Sequence, residues 1–120
     1  MQDFRELQVW RKAHELTLAI YHATSEFPKH ELYGLTGQIR RCAASVPANL
    51  AEGCCRNSDR DFARVVGIAL GSASETEYHL LLAKDLDYLQ PDYHAVLSQQ
   101  VEEVKRMLTS LHGRLLCEKR

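Results

Sequence analysis

No stretch of this 120-residue chain reaches the roughly 18 consecutive apolar residues of a membrane span, and its opening Met1-Gln2-Asp3-Phe4-Arg5-Glu6 lacks an apolar signal core. A cytoplasmic protein is expected, with no membrane partner. An excess of one charge is missing too. Fifteen Lys and Arg stand against sixteen Asp and Glu, a net charge of -1, so no overall field draws the chain to nucleic acid or to an anionic surface. Any such contact needs a local patch. The four cysteines, Cys42, Cys54, Cys55 and Cys117, contain no CxxC spacing and include an adjacent pair, which fits neither a disulfide framework nor a zinc site. They read as free thiols of a reducing compartment. The pairs His14-Glu15 and His30-Glu31 are followed four residues after each histidine by Leu18 and Gly34, so the zinc-protease helix motif is absent. A site assembled from Cys54, Cys55 and a distant histidine is less economical than packed thiols and surface histidines. No metal or cofactor is expected.

Alternation of apolar and polar residues, the mark of a half-buried strand, is also lacking. Helical spacing occupies the chain instead. With 45% apolar and 26% charged residues, the composition is that of a single globular domain over residues 1–120. Asp3 and Glu6 are spaced as a capping pair, and Val9, Ala13, Leu16, Ile20, Ala23 and Phe27 then repeat at fours and threes, which predicts a first helix from about Phe4 to Glu26. Pro28 ends it. Leu35, Ile39, Ala43, Val46, Leu50 and Cys54 mark a second helix lasting to the Gly53–Asn57 region. Ser58 and Asp61 open a third, along which Phe62, Val66, Ala69, Ala73, Thr76, Leu80 and Ala83 carry the period to about Leu89. Pro91 starts the last, with Tyr93, Leu97, Val101, Val104, Leu108, Leu111 and Leu115 on its inner face. Four long helices with short connections predict an all-α, up-down-up-down four-helix bundle.

Proline is scarce, yet Pro47 falls inside the second helix. It has no N–H and its ring presses on the carbonyl of Ala43, so a bend is expected there, with a carbonyl left for a side chain or water. Arg40, Arg41, Asn49, Glu52 and Glu75 lie beside the core and are expected to form a hydrogen-bonded cluster around that bend, since buried charges seek partners. Glycine is costly within helices, yet Gly67 and Gly71 join Ala63 and Ser74 in a strip of small residues on the third helix. Ala44, Ala48 and Ala51 give a matching strip on the second. Such strips admit close helix approach, either inside the bundle or between subunits. The apolar residues Val65, Ile68, Ala69, Leu70, Ala73, Leu80, Leu81, Ala83 and Leu86 span more than the roughly 100° arc of a helix packed on one side. The third helix either sits deepest in the bundle or is covered by another subunit, and an oligomer is the preferred expectation.

Leu7-Gln8-Val9-Trp10 with Ala13, Phe27-Pro28-Lys29, Tyr33-Gly34-Leu35 and Gln38-Ile39-Arg40-Arg41 come first in the chain. Ser45-Val46-Pro47-Ala48-Asn49-Leu50-Ala51-Glu52-Gly53 and Ile68-Ala69-Leu70-Gly71-Ser72-Ala73 with Glu75 follow. In order and spacing these blocks resemble the four-helix-bundle proteins of the 23S rRNA intervening-sequence family, first noticed as reading frames in bacterial large-subunit ribosomal RNA genes. The resemblance covers essentially the whole chain. It implies assembly into a homopentamer and no enzymatic activity. A related branch, the accessory variability proteins of diversity-generating retroelements, is strongly basic and binds nucleic acid and a reverse transcriptase. The near-neutral charge of the present chain departs from that branch.

The expected function is therefore a non-enzymatic, self-assembling scaffold, with nucleic acid or a nucleic-acid enzyme as its leading partner. A purely protein-binding module is the alternative. Arg56, Arg60 and Arg64 recur every four residues, and Lys105, Arg106, Arg114, Lys119 and Arg120 enrich the chain's end. These are the candidate phosphate contacts, although Asp59, Asp61, Glu102, Glu103 and Glu118 interleave with them and no stacking aromatics accompany them. An enzyme ranks third. Glu52 or Glu75 could act as acid or base with Ser45 or Ser72 as nucleophile, but no histidine lies nearby in sequence to activate either serine.

Overall fold

The structure is a computed structural model describing residues 2–117, so Glu118, Lys119 and Arg120 lie outside the described residues. Four α-helices form it: α1 (Gln8–Thr24), α2 (Leu35–Gly53), α3 (Asp59–Asp85) and α4 (Pro91–Leu116). Each packs on the next and α4 returns to α1, closing a square about 52 Å long and 20–23 Å across. The inner positions read from the sequence are buried except at the two ends of α4, where Tyr93 is exposed and Leu115 only partly covered. Ala13, Ile20, Ile39, Leu50, Val66, Ala69, Ala73, Leu97, Val101 and Leu108 are all fully enclosed.

Helix ends follow local chemistry. Ser58 Oγ accepts from the N–H of Asp61 at 3.1 Å and starts α3 where the capping spacing placed it. Pro91 occupies the first turn of α4, where its missing N–H costs nothing. Two boundaries differ from the sequence reading. The first helix does not begin at Phe4: Phe4–Glu6 is a separate 3-10 turn, and Leu7 is extended before α1 starts at Gln8. Asp3 accepts from the N–H of Arg5 at 3.0 Å rather than pairing with Glu6, which caps the short turn and lets Phe4 meet Trp10 edge-on. The third helix stops at Asp85, not Leu89. Asp87 takes a left-handed conformation (φ 65°), and the N–H groups of Asp87 and Tyr88 bond back to the carbonyls of Lys84 and Ala83. That pair of bonds is the Schellman closure, made with aspartate where glycine is usual.

Helix α2 runs continuously through the buried Pro47. The carbonyl that proline leaves without an intrahelical donor, that of Ala43, is 3.2 Å from Thr17 Oγ1 on α1. The same hydroxyl lies 2.8 Å from the carbonyl of Ala13, so a single proton is shared between two helices.

The glycines separate into two kinds. A Cβ at Gly53 would lie 2.5 Å from Cδ1 of the buried Phe62 ring, so the α2–α3 corner needs glycine. A Cβ at Gly71 or Gly113 would meet nothing within 4 Å, and one at Gly67 only His112 Nε2 at 3.9 Å. Close packing inside the bundle therefore does not account for Gly67 and Gly71. Gly53→Ala should destabilise the fold by about 1–3 kcal/mol through overpacking, whereas Gly113→Ala should stabilise it by up to about 1 kcal/mol through helix propensity. Urea unfolding at one chain concentration tests this, and equal effects would contradict the distinction.

Candidate functional site

The polar residues expected around Pro47 form no single cluster. Arg40 turns toward α1, where its Nε donates to Thr24 Oγ1 at 2.8 Å, its Nη2 donates to the Tyr21 carbonyl at 3.3 Å, and its guanidinium lies 4.7 Å from the Tyr21 ring centre. Arg41 points outward, and Glu52 is exposed and paired with Arg56. Asn49 remains within a turn of Pro47. Its Nδ2 donates to the Ser45 carbonyl at 2.8 Å and to Ser45 Oγ at 2.9 Å, and Ser45 Oγ meets Ser72 Oγ of α3 at 2.9 Å. Glu75 is exposed and joins none of these bonds. The reason is angular: Arg40 lies on the α1 side of α2, Ser45 and Asn49 face α3, and Glu52 faces solvent.

One turn away, a group the sequence reading missed is buried between α2 and α3. Cys42 Sγ is 3.5 Å from His79 Nδ1 and 3.1 Å from Thr76 Oγ1, and Thr76 Oγ1 also donates to the Ser72 carbonyl at 2.8 Å. Cys42 and His79 are 37 positions apart, so only the antiparallel register of α2 and α3 could have paired them. A cysteine beside a histidine suggests nucleophilic chemistry, but the surroundings oppose it. Burial, opposed by the Thr76 hydrogen bond and reinforced by the charge of Glu75, pushes the Cys42 thiol above its ordinary value and keeps it protonated. None of the four main clefts is lined by Cys42, Ser45, Ser72, Glu52 or Glu75. No trio of metal-ligating side chains occurs among the described residues.

The arginine stripe is partly neutralised. Arg56 pairs with Glu52 and, at 3.5 Å, with Asp61; Arg64 reaches Asp61 at 3.1 Å; Arg60 has no ion-pair partner among the described residues. On α4, Lys105 is held by Glu77 of α3 at 2.8 Å.

The outward side of α3 is different in kind. Ile68, Gly71, Tyr78, Leu82 and Leu86 recur at helical spacing along it, and Ile68, Tyr78 and Leu86 are each 45–57% exposed. Leu81, beside Tyr78, is 42% exposed. Of the wide apolar arc read from sequence, Val65, Ala69, Ala73, Leu80 and Ala83 are buried by the bundle, Leu70 is partly covered, and Ile68, Leu81 and Leu86 are left exposed, with Tyr78, which that arc did not include, beside them.

The model of the 23S rRNA-intervening sequence proteins matches residues 5–110 of this sequence. The chain belongs to that family. Comparison with curated proteins gives no match. Among solved structures, the chain is similar to a protein of unknown function from the S23 ribosomal protein family of Bacteroides thetaiotaomicron VPI-5482. The identity is 26% and the TM-score 0.80, over 88% of this chain and 95% of that one. Family and fold thus agree, and neither brings a known reaction with it. No helix among the described residues is long and apolar enough to cross a membrane.

The α1–α2 connection carries a carboxylate with a defined electrostatic role. Glu31 Oε1 accepts from the N–H of Leu35 at 3.0 Å and Oε2 from Tyr88 Oη at 2.9 Å. The backbone bond, then the tyrosine bond, hold its pKa below the ordinary 4.5, and Glu31 in turn raises that of Tyr88. A depressed carboxylate stabilises the fold above its unfolded-state pKa and loses that contribution as pH falls through the folded value. The melting temperature of the wild type should therefore drop more steeply below pH 4.5 than that of Glu31→Gln. Parallel acid profiles would show that the Glu31 bonds carry no such linkage.

Proposed function

We propose that this protein is a non-enzymatic, cytoplasmic scaffold that assembles with copies of itself through the outer face of α3, as a closed homopentamer. The observation carrying this reading is the exposed stripe of Ile68, Tyr78 and Leu86 around Gly71, a mid-helix glycine with no close neighbour in its own chain. Exposed apolar side chains gain free energy on removal from water, and a glycine among them admits another backbone closely. The number five comes from the family resemblance, since the stripe itself fixes no stoichiometry. That none of the four clefts described is lined by Glu52, Glu75, Ser45 or Ser72 supports a scaffold over an enzyme.

Light scattering on the purified protein should give a mass near five times the 13.7 kDa of one chain. Tyr78→Glu and Ile68→Asp should lower that mass to one chain while leaving the helical circular dichroism unchanged. A wild-type mass of one chain at micromolar concentration would overturn the assembly.

Nucleic acid is the second reading, favoured by Arg60, which has no ion-pair partner among the described residues. Against it, Glu52, Asp59 and Asp61 match Arg56, Arg60 and Arg64 in number, and the two surface ion pairs of Asp61 must be given up or shared when a phosphate arrives. A partner protein is accordingly preferred. Duplex DNA and structured RNA should remain unshifted at tens of micromolar protein in about 50 mM salt. A retarded complex, with a logarithmic salt slope that shrinks when the three arginines become glutamine, would reverse the preference.

A further inference from the structure

Four threonines are buried in this bundle, and three of them satisfy their hydroxyls on a backbone carbonyl four residues back: Thr17 on Ala13, Thr24 on Ile20 and Thr76 on Ser72, each at 2.8 Å. Thr36 does not. It is 3% exposed, and its hydroxyl has no partner. It stands in the first turn of α2, so the residue four back, Leu32, precedes the helix and offers no aligned carbonyl. A buried hydroxyl without a partner is uncommon and destabilising.

Thr36 lines a cleft of about 260 Å³ between the end of α1, the Pro28–Leu32 connection and the start of α2. Arg40, one turn further along α2, lines it as well. The guanidinium is anchored by two of its five N–H groups, on Thr24 and Tyr21, and has no carboxylate within ion-pair distance among the described residues. Lys29 adds a second cation to the rim. The opposite wall is apolar, formed by the buried Phe27, Pro28 and Leu32, the last 48% exposed. No acidic residue lines the cleft. Glu31, on the same connection, is engaged with Leu35 and Tyr88.

We propose that this cleft binds a small organic carboxylate, a single anionic head on a compact apolar body. The fixed arginine presents its remaining N–H fork to the carboxylate, a geometry in which charge-assisted bonds are strong and directional. Lys29 adds charge, and the Thr36 hydroxyl, brought round by a change of χ1 rotamer, donates the bond that it does not make within the chain. Phe27 and Leu32 cover the body. The volume is below the roughly 300–1,000 Å³ of drug-sized pockets, which limits the ligand to a few carbons or one ring. The outer residues of α3 do not line this cleft, so the proposal stands or falls independently of self-assembly.

The test is an amide-resolved NMR titration of the full chain with sodium benzoate and sodium hexanoate, set against inorganic phosphate at matched ionic strength. Saturable shifts are expected at the amides of Lys29, Thr36 and Arg40 at low-millimolar carboxylate, with phosphate at least tenfold weaker. Arg40→Gln should weaken benzoate binding at least tenfold. Because that change also removes the Thr24 and Tyr21 bonds, Thr36→Val provides the second arm. It deletes only an unpartnered hydroxyl, so the melting temperature should hold or rise while affinity falls several-fold. No saturation at tens of millimolar, equal affinity for phosphate, or unchanged binding by Thr36→Val would each overturn the proposal.

Discussion

One missing N–H governs how the middle of the bundle is held. Pro47 leaves the Ala43 carbonyl without its helical donor at a position where the neighbouring side chains are apolar and water is excluded, and an unmet buried carbonyl is expensive. The donor comes from Thr17 on α1. On the other side of the same turn, Asn49 and Ser45 carry the hydrogen bonding across to Ser72 on α3. A residue that weakens α2 as an isolated helix thus leaves polar positions that tie it to both neighbours. Apolar burial tolerates sliding by a turn, whereas these bonds fix a register. Cys42, Thr76 and His79 come together one turn on because that register is fixed.

Sequence periodicity carried the fold because burial in a four-helix square is a one-face property, and spacing by threes and fours reports one face. Helix ends were legible where a side chain forms the boundary, as with Ser58 before α3 and Pro91 in α4. They were illegible where the backbone alone decides. Nothing in Glu6-Leu7-Gln8 marks a break, and only the extended conformation of Leu7 separates the opening turn from α1. Asp87 ends α3 in a left-handed conformation that the composition of Leu86-Asp87-Tyr88 does not announce.

The candidate sites were less legible for a related reason. Arg40, Asn49 and Glu52 are near one another in sequence, and nearness suggested a cluster. On a helix, however, residues nine and twelve positions apart point wherever the 100° step sends them, and the partners available there decide the outcome. Arg40 met Thr24 and Tyr21, Asn49 met Ser45, and Glu52 met Arg56. A pair such as Cys42 and His79 needs the inter-helix register as well, which no single-helix pattern contains. Gly71 was conspicuous in sequence because it is costly, but the cost says nothing about which surface recovers it.

That cost also orders the functional readings. Most of the interior is satisfied: its apolar face is closed, Thr36 Oγ1 and Gln100 Oε1 are the buried side-chain atoms without a partner among the described residues, and the Cys42 thiol is held protonated by burial. Catalysis needs a group that is both reachable and activated: the Cys42 thiol lines none of the four clefts, and Cys54, which lines one, is pushed up by burial toward the unreactive thiol. What remains unmatched lies at the surface, in two separate places. Along α3 the mismatch is apolar and extended, which suits another protein surface. Between α1 and α2 it is a single guanidinium beside a hydroxyl and an apolar wall, too small for a protein and suited to a small anion. The two differ in size and chemistry, so one partner does not meet both, and the proposed assembly through α3 involves none of the residues that line the α1–α2 cleft.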